Sequence, residues 1–313
     1  MTGSHSLSIV IPAYNEAESL SKLVEEIESV FPNGGAEIVV VDDGSTDSTW
    51  QVIRGLAADG RITGLRLGTN QGKAAALSAG FAEAGGDFIA TLDADLQDDP
   101  AEIPGMIEQI LREKLDLVSG WKKVRHDPVG KRLPSKFYNT VVRLTTGIRL
   151  HDFNCGLKVY RNHTAVSLIL YGEMHRYTPV LAVQKGYAVG EKIVNHRPRA
   201  HGRSKYGMSR FFRGYADLLT ILFLNKYSSR PLHFFGGVGT VMSLAGFAIS
   251  VYLTILWLGG ASIGNRPLLL LGVFLMLVGF QFVSLGLLGE MLLRLSHRQS
   301  YHIVEKTSGE GLE

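Results

Sequence analysis

Short apolar runs alternate with longer amphipathic stretches through the first third of the chain. Leu7–Ile11, Glu37–Val41, Ile62–Leu67, Phe88–Leu92 and Leu117–Ser119 are brief, apolar and rich in β-branched side chains, which predicts strands. Between them, Ala17–Val30, Thr46–Ala58, Lys73–Ala84 and Ile103–Arg112 predict helices. Strands alternating with helices imply an α/β domain built on a mainly parallel, doubly wound sheet. In such sheets a ligand sits beyond the carboxyl ends of the strands, so the polar clusters that follow each strand become the candidate site.

The pattern changes towards the end of the chain. Leu232–Trp257 contains no Lys, Arg, Asp or Glu, and Pro267–Leu293 contains only Glu290. Each run exceeds the roughly 20 residues that span a bilayer. The linker Leu258–Arg266 is short and glycine-rich, so the two runs predict a helical hairpin. Gly236, Gly237, Gly239, Gly246, Gly279 and Gly286 are small enough for close helix contact. Lys226 and Arg230 precede the first run, Arg294 and Arg298 follow the second, and the linker holds only Arg266. The positive-inside rule then places both outer flanks, and both termini, in the cytoplasm. Leu7–Ala13 is too short for a signal peptide and leads straight into the strand pattern.

Ahead of the hairpin, Phe211, Phe212, Tyr215, Leu218, Leu219 and Leu222 interleave with Arg210, Arg213 and Asp217. That spacing fits a helix lying on a membrane surface, with a helix packed on the domain as the alternative. The expected layout is a cytoplasmic α/β domain over 1–206, an amphipathic juxtamembrane segment over 207–230, a transmembrane hairpin over 231–295 and a cytoplasmic tail over 296–313. Self-association through the hairpin is left open.

Composition narrows the choices. Lys and Arg number 32 against 29 Asp and Glu, a formal charge of +3, too nearly balanced for a general nucleic-acid binder. The single cysteine, Cys155, excludes an internal disulfide framework and a multi-cysteine zinc site.

Three polar clusters follow predicted strands. In the first, Pro12, Ala13, Tyr14, Asn15 and Glu16, a strand stop and a helix cap by Asn15 or Glu16 explain every residue. The second begins with two adjacent acids, Asp42 and Asp43, and continues Gly44-Ser45-Thr46-Asp47. An acid at a strand end can accept hydrogen bonds from a nucleobase or ribose, and Ser45 or Thr46 can cap a helix. The third holds Asp93, Ala94, Asp95 and Gln97. In extended backbone residues i and i+2 share a face, so two carboxylates there call for a cation between them. Oxygen-only ligands imply Mg²⁺ or Mn²⁺ rather than zinc.

Basic residues gather later: Lys122, Lys123 and Arg125; Arg132 and Lys136 with Ser135; His175 and Arg176; then Arg197, Arg199, Arg203 and Lys205 around Gly202. Near a membrane such a run is commonly a contact for anionic lipid, at roughly 1 kcal/mol per basic residue. The sharper reading is phosphate binding. No G-x-G-x-x-G follows the first strand, and no Walker A loop, G-x-S-x-G elbow or H-E-x-x-H occurs.

Taken in order, Ile11-Pro12-Ala13-Tyr14-Asn15-Glu16, Val41-Asp42-Asp43-Gly44-Ser45, Asn70-Gln71-Gly72-Lys73 and Asp93-Ala94-Asp95-Leu96-Gln97 resemble the signature of glycosyltransferase family 2 on a GT-A fold. Asp152-Phe153-Asn154-Cys155-Gly156-Leu157-Lys158 and the Arg199–Lys205 run resemble its polyprenyl-phosphate branch, to which dolichyl-phosphate mannose synthases and bacterial polyprenyl-phosphate glucosyltransferases belong. The resemblance implies that Pro12, Ala13, Tyr14, Glu16, Val41, Asp43, Lys73, Asp93 and Ala94 hold the nucleotide, with Arg199 and Lys205 contacting its phosphates. It implies a metal site of Asp93, Asp95 and Gln97 for Mg²⁺ or Mn²⁺. It places Lys122, Arg132, Ser135, Lys136 and Arg176 by the acceptor phosphate, although Lys122 stands where many relatives show arginine. Asp95 or Asp152 would orient the reacting groups, and Arg132 and Lys136 would serve the chemical step. The implied reaction is inverting transfer of a hexose from a UDP- or GDP-sugar to a polyprenyl phosphate at the inner membrane face.

The lipid phosphate is an anionic nucleophile and needs no strong base; it needs cations that bring two anions together. A diacylglycerol acceptor is the alternative, which the basic loop disfavours. A processive polysaccharide synthase is disfavoured by the lack of Q-x-x-R-W, a scaffold by the intact Asp93, Asp95 and Gln97, and a channel by the apolar mid-depth of both spans.

Overall fold

The computed structural model describes residues 5–32, 34–123, 139, 142–143, 146–172, 174–195, 197, 231–260, 262–264 and 266–295. Arg125, Arg132, Ser135, Lys136, Arg199, Lys205, the 207–230 segment and the 296–313 tail lie outside them. The chain divides into two compact units, Met1–Gly214 and Tyr215–Glu313.

In the first unit the elements run β1 (Leu7–Ala13), α1 (Ala17–Val30), β2 (Glu37–Asp42), α2 (Thr49–Ala58), β3 (Thr63–Arg66), α3 (Lys73–Glu83) and β4 (Phe88–Thr91). A 3₁₀ turn at Pro100–Glu102 leads into α4 (Ile103–Glu113) and β5 (Leu117–Trp121). Then come β6 (Lys158–Arg161), α5 (Asn162–Ser167), a 3₁₀ turn at Met174–Tyr177, α6 (Thr178–Gln184) and β7 (Val189–Ile193). The seven strands form one sheet in the order β3-β2-β1-β4-β6-β5-β7. Strands β3, β2, β1 and β4 are mutually parallel, with Ile9 opposite Ile38 and Val10 opposite Thr91. Strand β6 runs antiparallel to both β4 and β5, and β7 is parallel to β5. The sheet is therefore mixed, with parallel pairing in the majority.

Helix α1 shows why the first half folds as its pattern predicts. Leu20, Leu23, Val24 and Ile27 fall on one stripe and are fully buried, against a core that includes Ile9, Ile11, Ile38 and Val40. Each such side chain contributes about 1.5–3 kcal/mol by leaving water. Two expectations are corrected. Helix α2 starts at Thr49 rather than Thr46, because Asp47 Oδ1 accepts from Thr49 N at 2.9 Å and Thr46 is turned outward to another loop. Strand β4 stops at Thr91, so Asp93 and Asp95 stand in the turn beyond it and not on one face of an extended strand.

The second unit contains α7 (Pro231–Leu258) and α8 (Pro267–Leu295), each long and apolar enough to cross a membrane. Large apolar side chains such as Leu244, Phe247, Leu270 and Phe280 stand exposed on both helices. A Cβ on Gly239 would lie 2.5 Å from the Gly279 carbonyl oxygen, and one on Gly246 at 2.5 Å from that of Gly272. Side chains have no room there, so the two backbones approach directly. Gly286 meets Leu232 and Phe235 in the same way, whereas Gly236 faces only Leu232 of its own helix and Gly237 faces open space.

Candidate active site

Three loops at the carboxyl ends of β1, β2 and β4 are tied to one another by side chains. Asn15, at φ +53°, donates its backbone N–H to Ser45 Oγ at 2.9 Å, while its side-chain oxygen accepts from Thr46 N at 2.8 Å. Glu16 N donates to Thr49 Oγ1 at 2.9 Å. Neither Asn15 nor Glu16 makes the side-chain helix cap expected for α1. Pro12 and Ala13 end β1, Tyr14 is half-buried in the turn, and Val41 is buried in β2.

Both acids after β2 have partners within the chain. Asp42 is buried; its Oδ1 accepts from Ser45 N at 2.9 Å, and Arg66 Nε stands 3.3 Å from Oδ2. Asp43 accepts from Gln71 N at 2.8 Å and Gly72 N at 2.9 Å, one bond to each carboxylate oxygen. It thereby fixes the turn that starts α3, and Lys73 opens that helix.

Lys73 Nζ reaches across to donate to Asp93 Oδ1. Burial pushes the Asp93 carboxyl up, but the Lys73 ammonium, with Lys122 and His175, outweighs it and holds the group down at about 2. Asp93 is therefore an anion at neutral pH. Beyond it Ala94 is buried, Asp95 Oδ1 accepts from Gln97 N at 3.2 Å, and Leu96 takes φ +62° while staying buried. A non-glycine residue held in that region stores local strain of the kind that collects at functional turns. Arg197 N donates to the Gln97 carbonyl at 3.0 Å, and its guanidinium binds Glu26 at 2.6 Å and Asp99 at 2.9 Å, locking the turn from outside.

The Asp152–Lys158 stretch closes the site from the β6 side. Thr91 Oγ1 donates to the Gly156 carbonyl at 2.7 Å. A Cβ on Gly156 would sit 2.6 Å from the Asp93 carboxyl, so only glycine lets that carboxylate lie there. Asp152 is buried, with its Oδ1 accepting from Asn154 N at 3.0 Å and its own N–H donating to Glu191 at 3.0 Å. A cavity of about 140 Å³ opens beside Asp93, lined also by Lys73, Gly156, Lys158, Tyr160, His175 and Arg176.

Lys122 is not in the open. It forms a 2.6 Å ion pair with the fully buried Asp98. Burial works against its charge, but Asp98 overrides burial and raises its pKa. The structure thus gathers Lys73, Asp93 and Arg176 around one cavity, sets Lys122 in a pair with buried Asp98, and leaves Pro12 at the end of β1 and Tyr14, Glu16 and Asp43 in the loops after β1 and β2. Sequence reasoning assigned no role to Lys158, His175, Gly156 or Asp98. The Cys155-Gly156-Leu157-Lys158 run was the available signal for two of them.

Carboxylate and ammonium groups crowded at the carboxyl ends of a mixed sheet are the arrangement expected of a GT-A glycosyltransferase domain. Comparison with known proteins agrees. The Glycosyl transferase family 2 profile matches residues 8–168, about half of the chain. The chain is 41% identical over 308 residues to the dodecaprenyl-phosphate galacturonate synthase of Rhizobium johnstonii, covering 94% of this chain and 90% of that one. It is 37% identical over 295 residues to the undecaprenyl-phosphate 4-deoxy-4-formamido-L-arabinose transferase of Pseudomonas paraeruginosa, covering 92% and 85%. Among solved structures, glucosyl-3-phosphoglycerate synthase from Mycobacterium tuberculosis, in complex with Mn²⁺, UDP and phosphoglyceric acid, superposes with a TM-score of 0.54 at 20% identity, over 71% of this chain and 78% of that one. That last likeness is one of fold. The chain belongs to glycosyltransferase family 2 and is an enzyme of that class.

Proposed function

We propose that this enzyme transfers a glycosyl group from a nucleoside-diphosphate sugar to a polyprenyl phosphate, with Mg²⁺ or Mn²⁺, at the cytoplasmic face of a membrane. The observation that carries this reading is the ionised Asp93 set among Lys73, Lys158 and Arg176 at the end of β4. A substrate with several negative charges and a counter-cation suits such a mixture. The two relatives at 41% and 37% identity, named for polyprenyl-phosphate products or acceptors, support the same acceptor.

The donor chemistry suits a divalent metal, although among the described residues no three acidic, imidazole or thiol side chains already form a cage for one. Asp93 and Asp95 offer hard oxygen donors, and Asp93 is held deprotonated. Mg²⁺ typically takes one or two carboxylates and completes its shell with substrate phosphates and water. Asp93, Asp95 and Gln97 would hold it, and Lys73 would release Asp93 as it bound. When bound, the metal offsets the charge that develops on the departing nucleoside diphosphate.

This chain's own residues do the remainder. Asp43 shapes the turn before α3, and each of its oxygens keeps a lone pair for a base or ribose donor. Pro12, Ala13 and Val41, at the ends of β1 and β2, with Tyr14 and Glu16 in the loop after β1, would take the base and ribose. Arg176, with Arg132, Ser135 and Lys136, draws in the lipid phosphate, while Arg199 and Lys205 bind the donor's phosphates. One acceptor oxygen then bonds to the anomeric carbon as the bond from that carbon to the diphosphate breaks, and the electron pair leaves on the diphosphate. Asp152 is positioned by Asn154 and Glu191 to orient the reactants.

The test is a transfer assay on purified protein in detergent. Polyprenyl phosphate and Mn²⁺ are offered with UDP- and GDP-sugars, including neutral hexoses, a hexuronic acid and a 4-aminopentose. Labelled lipid phosphate with at least one donor, abolished by EDTA and restored by Mg²⁺ or Mn²⁺, is the expected result. Transfer to diacylglycerol in its place would overturn the acceptor, and full turnover in chelator would overturn the metal.

A further inference from the structure

Lys158 has a place in the site that the reaction above does not use. It is 3% exposed, opens β6 and lines the cavity beside Asp93. Among the described residues its ammonium donates one hydrogen bond, to the Cys155 carbonyl at 2.5 Å. Three donors and one neutral acceptor make a buried positive charge that an anion would complete. Arg176 and Lys73 line the same cavity, Lys73 paired with Asp93, and Asp152 is the other acid that acts on Lys158. The cavity volume, about 140 Å³, is several times the roughly 30 Å³ of one water. Burial, with Lys73 nearby and against the pull of Asp93 and Asp152, lowers the Lys158 pKa to about 8, and burial above all depresses His175.

We propose that this cavity is an oxyanion subsite, with Lys158 as its buried counter-charge and Arg176 at its wall, receiving a carboxylate or phosphate carried by one of the two substrates. The inference rests on the transferase reading above and deepens it. The oxyanion has two sources: a carboxylate on the donor's sugar, as in a hexuronic acid, or the acceptor's phosphate.

Full-length enzyme, Lys158→Met and Arg176→Met are compared in detergent with UDP-galacturonate and UDP-galactose, which differ at C6, while polyprenyl phosphate is titrated. A sugar carboxylate in the subsite predicts that Lys158→Met loses about thirtyfold or more in kcat/KM for the uronate. The galactose value and the KM for lipid then stay within about threefold. The acceptor phosphate in the subsite predicts a rise of at least about tenfold in the lipid KM with either donor alike. Values for Lys158→Met all within about threefold of the wild type overturn the proposal. Where Lys158→Met fails to fold, Lys158→Gln, which removes the charge and keeps a polar side chain, decides on the same parameters. A wild-type enzyme that transfers to no polyprenyl phosphate overturns the transferase reading alone. Equilibrium binding of the two UDP-sugars to wild type and Arg176→Met then judges the subsite: a uronate preference of about tenfold that Arg176→Met abolishes upholds it, and equal affinities overturn it.

Discussion

Gly156 shows how one residue sets the site's charge. Its missing side chain is the space in which the Asp93 carboxyl lies, at 2.6 Å from where a Cβ would be. Gly156→Ala forces the carboxylate off its position, and overpacking of this kind costs about 1–3 kcal/mol. The expected outcome is a small fall in melting temperature with a loss of turnover larger than stability explains, read by thermal melts and the transfer assay together. A wild-type rate would detach Asp93 from the mechanism. Asp98 and Lys122 form the second residue-scale case. Asp98 is buried, Lys122 is largely covered, and the two stand 2.6 Å apart, so removing one leaves the other charge unpaired. Lys122→Met is expected to destabilise by about 3–5 kcal/mol, with Asp98→Asn/Lys122→Met recovering much of the loss. Chemical denaturation of the three proteins checks this, and a Lys122→Met variant as stable as wild type would refute it. The sequence marks Lys122 only as a cation after a strand and Asp98 only as one more acid in a loop. Their pairing depends on how the β4 turn folds back on the end of β5, which spacing along the chain does not encode.

At the scale of elements, strands β1, β2 and β4 and helices α1, α3 and α4 were legible because their apolar residues recur at one period without interruption. Strands β6 and β7 were not. β6 is four residues, bounded by Lys158 and Arg161, and β7 carries Glu191 and Lys192 at the sheet edge. Lys158 is buried despite its charge, so hydropathy points away from the strand that holds it. The start of α2 was misplaced for a related reason, since Ser45 and Thr46 bind Asn15 and do not cap the helix. The hairpin was legible from composition, but its contact face was legible only in part. Gly239 and Gly246 on α7 face Gly279 and Gly272 on α8, with Gly286 a further seven residues along. This heptad spacing keeps one stripe in contact along both helices. Gly279→Leu should push the helices apart and lower the melting temperature, whereas Gly237→Leu, into open space, should not. Equal effects from the two substitutions in a detergent melt would disprove the glycine contact.

For the whole molecule, the expected orientation follows from charge alone, because Lys226, Arg230, Arg294 and Arg298 flank the spans and the linker holds only Arg266. Positive flanks are retained on the cytoplasmic side, which would put the nucleotide-sugar site on the side where such donors are made. The chain makes this testable with little alteration. Its single cysteine, Cys155, is buried, and burial pushes its thiol up to about 12, so it resists thiol reagents in the folded protein. Gly264→Cys places one reactive thiol in the linker between α7 and α8, and Arg54→Cys places one on the exposed face of α2. In intact cells a membrane-impermeant maleimide is expected to label Gly264→Cys and spare Arg54→Cys, and in inverted vesicles the reverse. Labelling of Arg54→Cys from outside intact cells would invert the topology and move the proposed transfer to the other leaflet. Labelling of both positions from one side would show that α7 and α8 do not cross, and the hairpin would then act as a surface anchor for the same reaction.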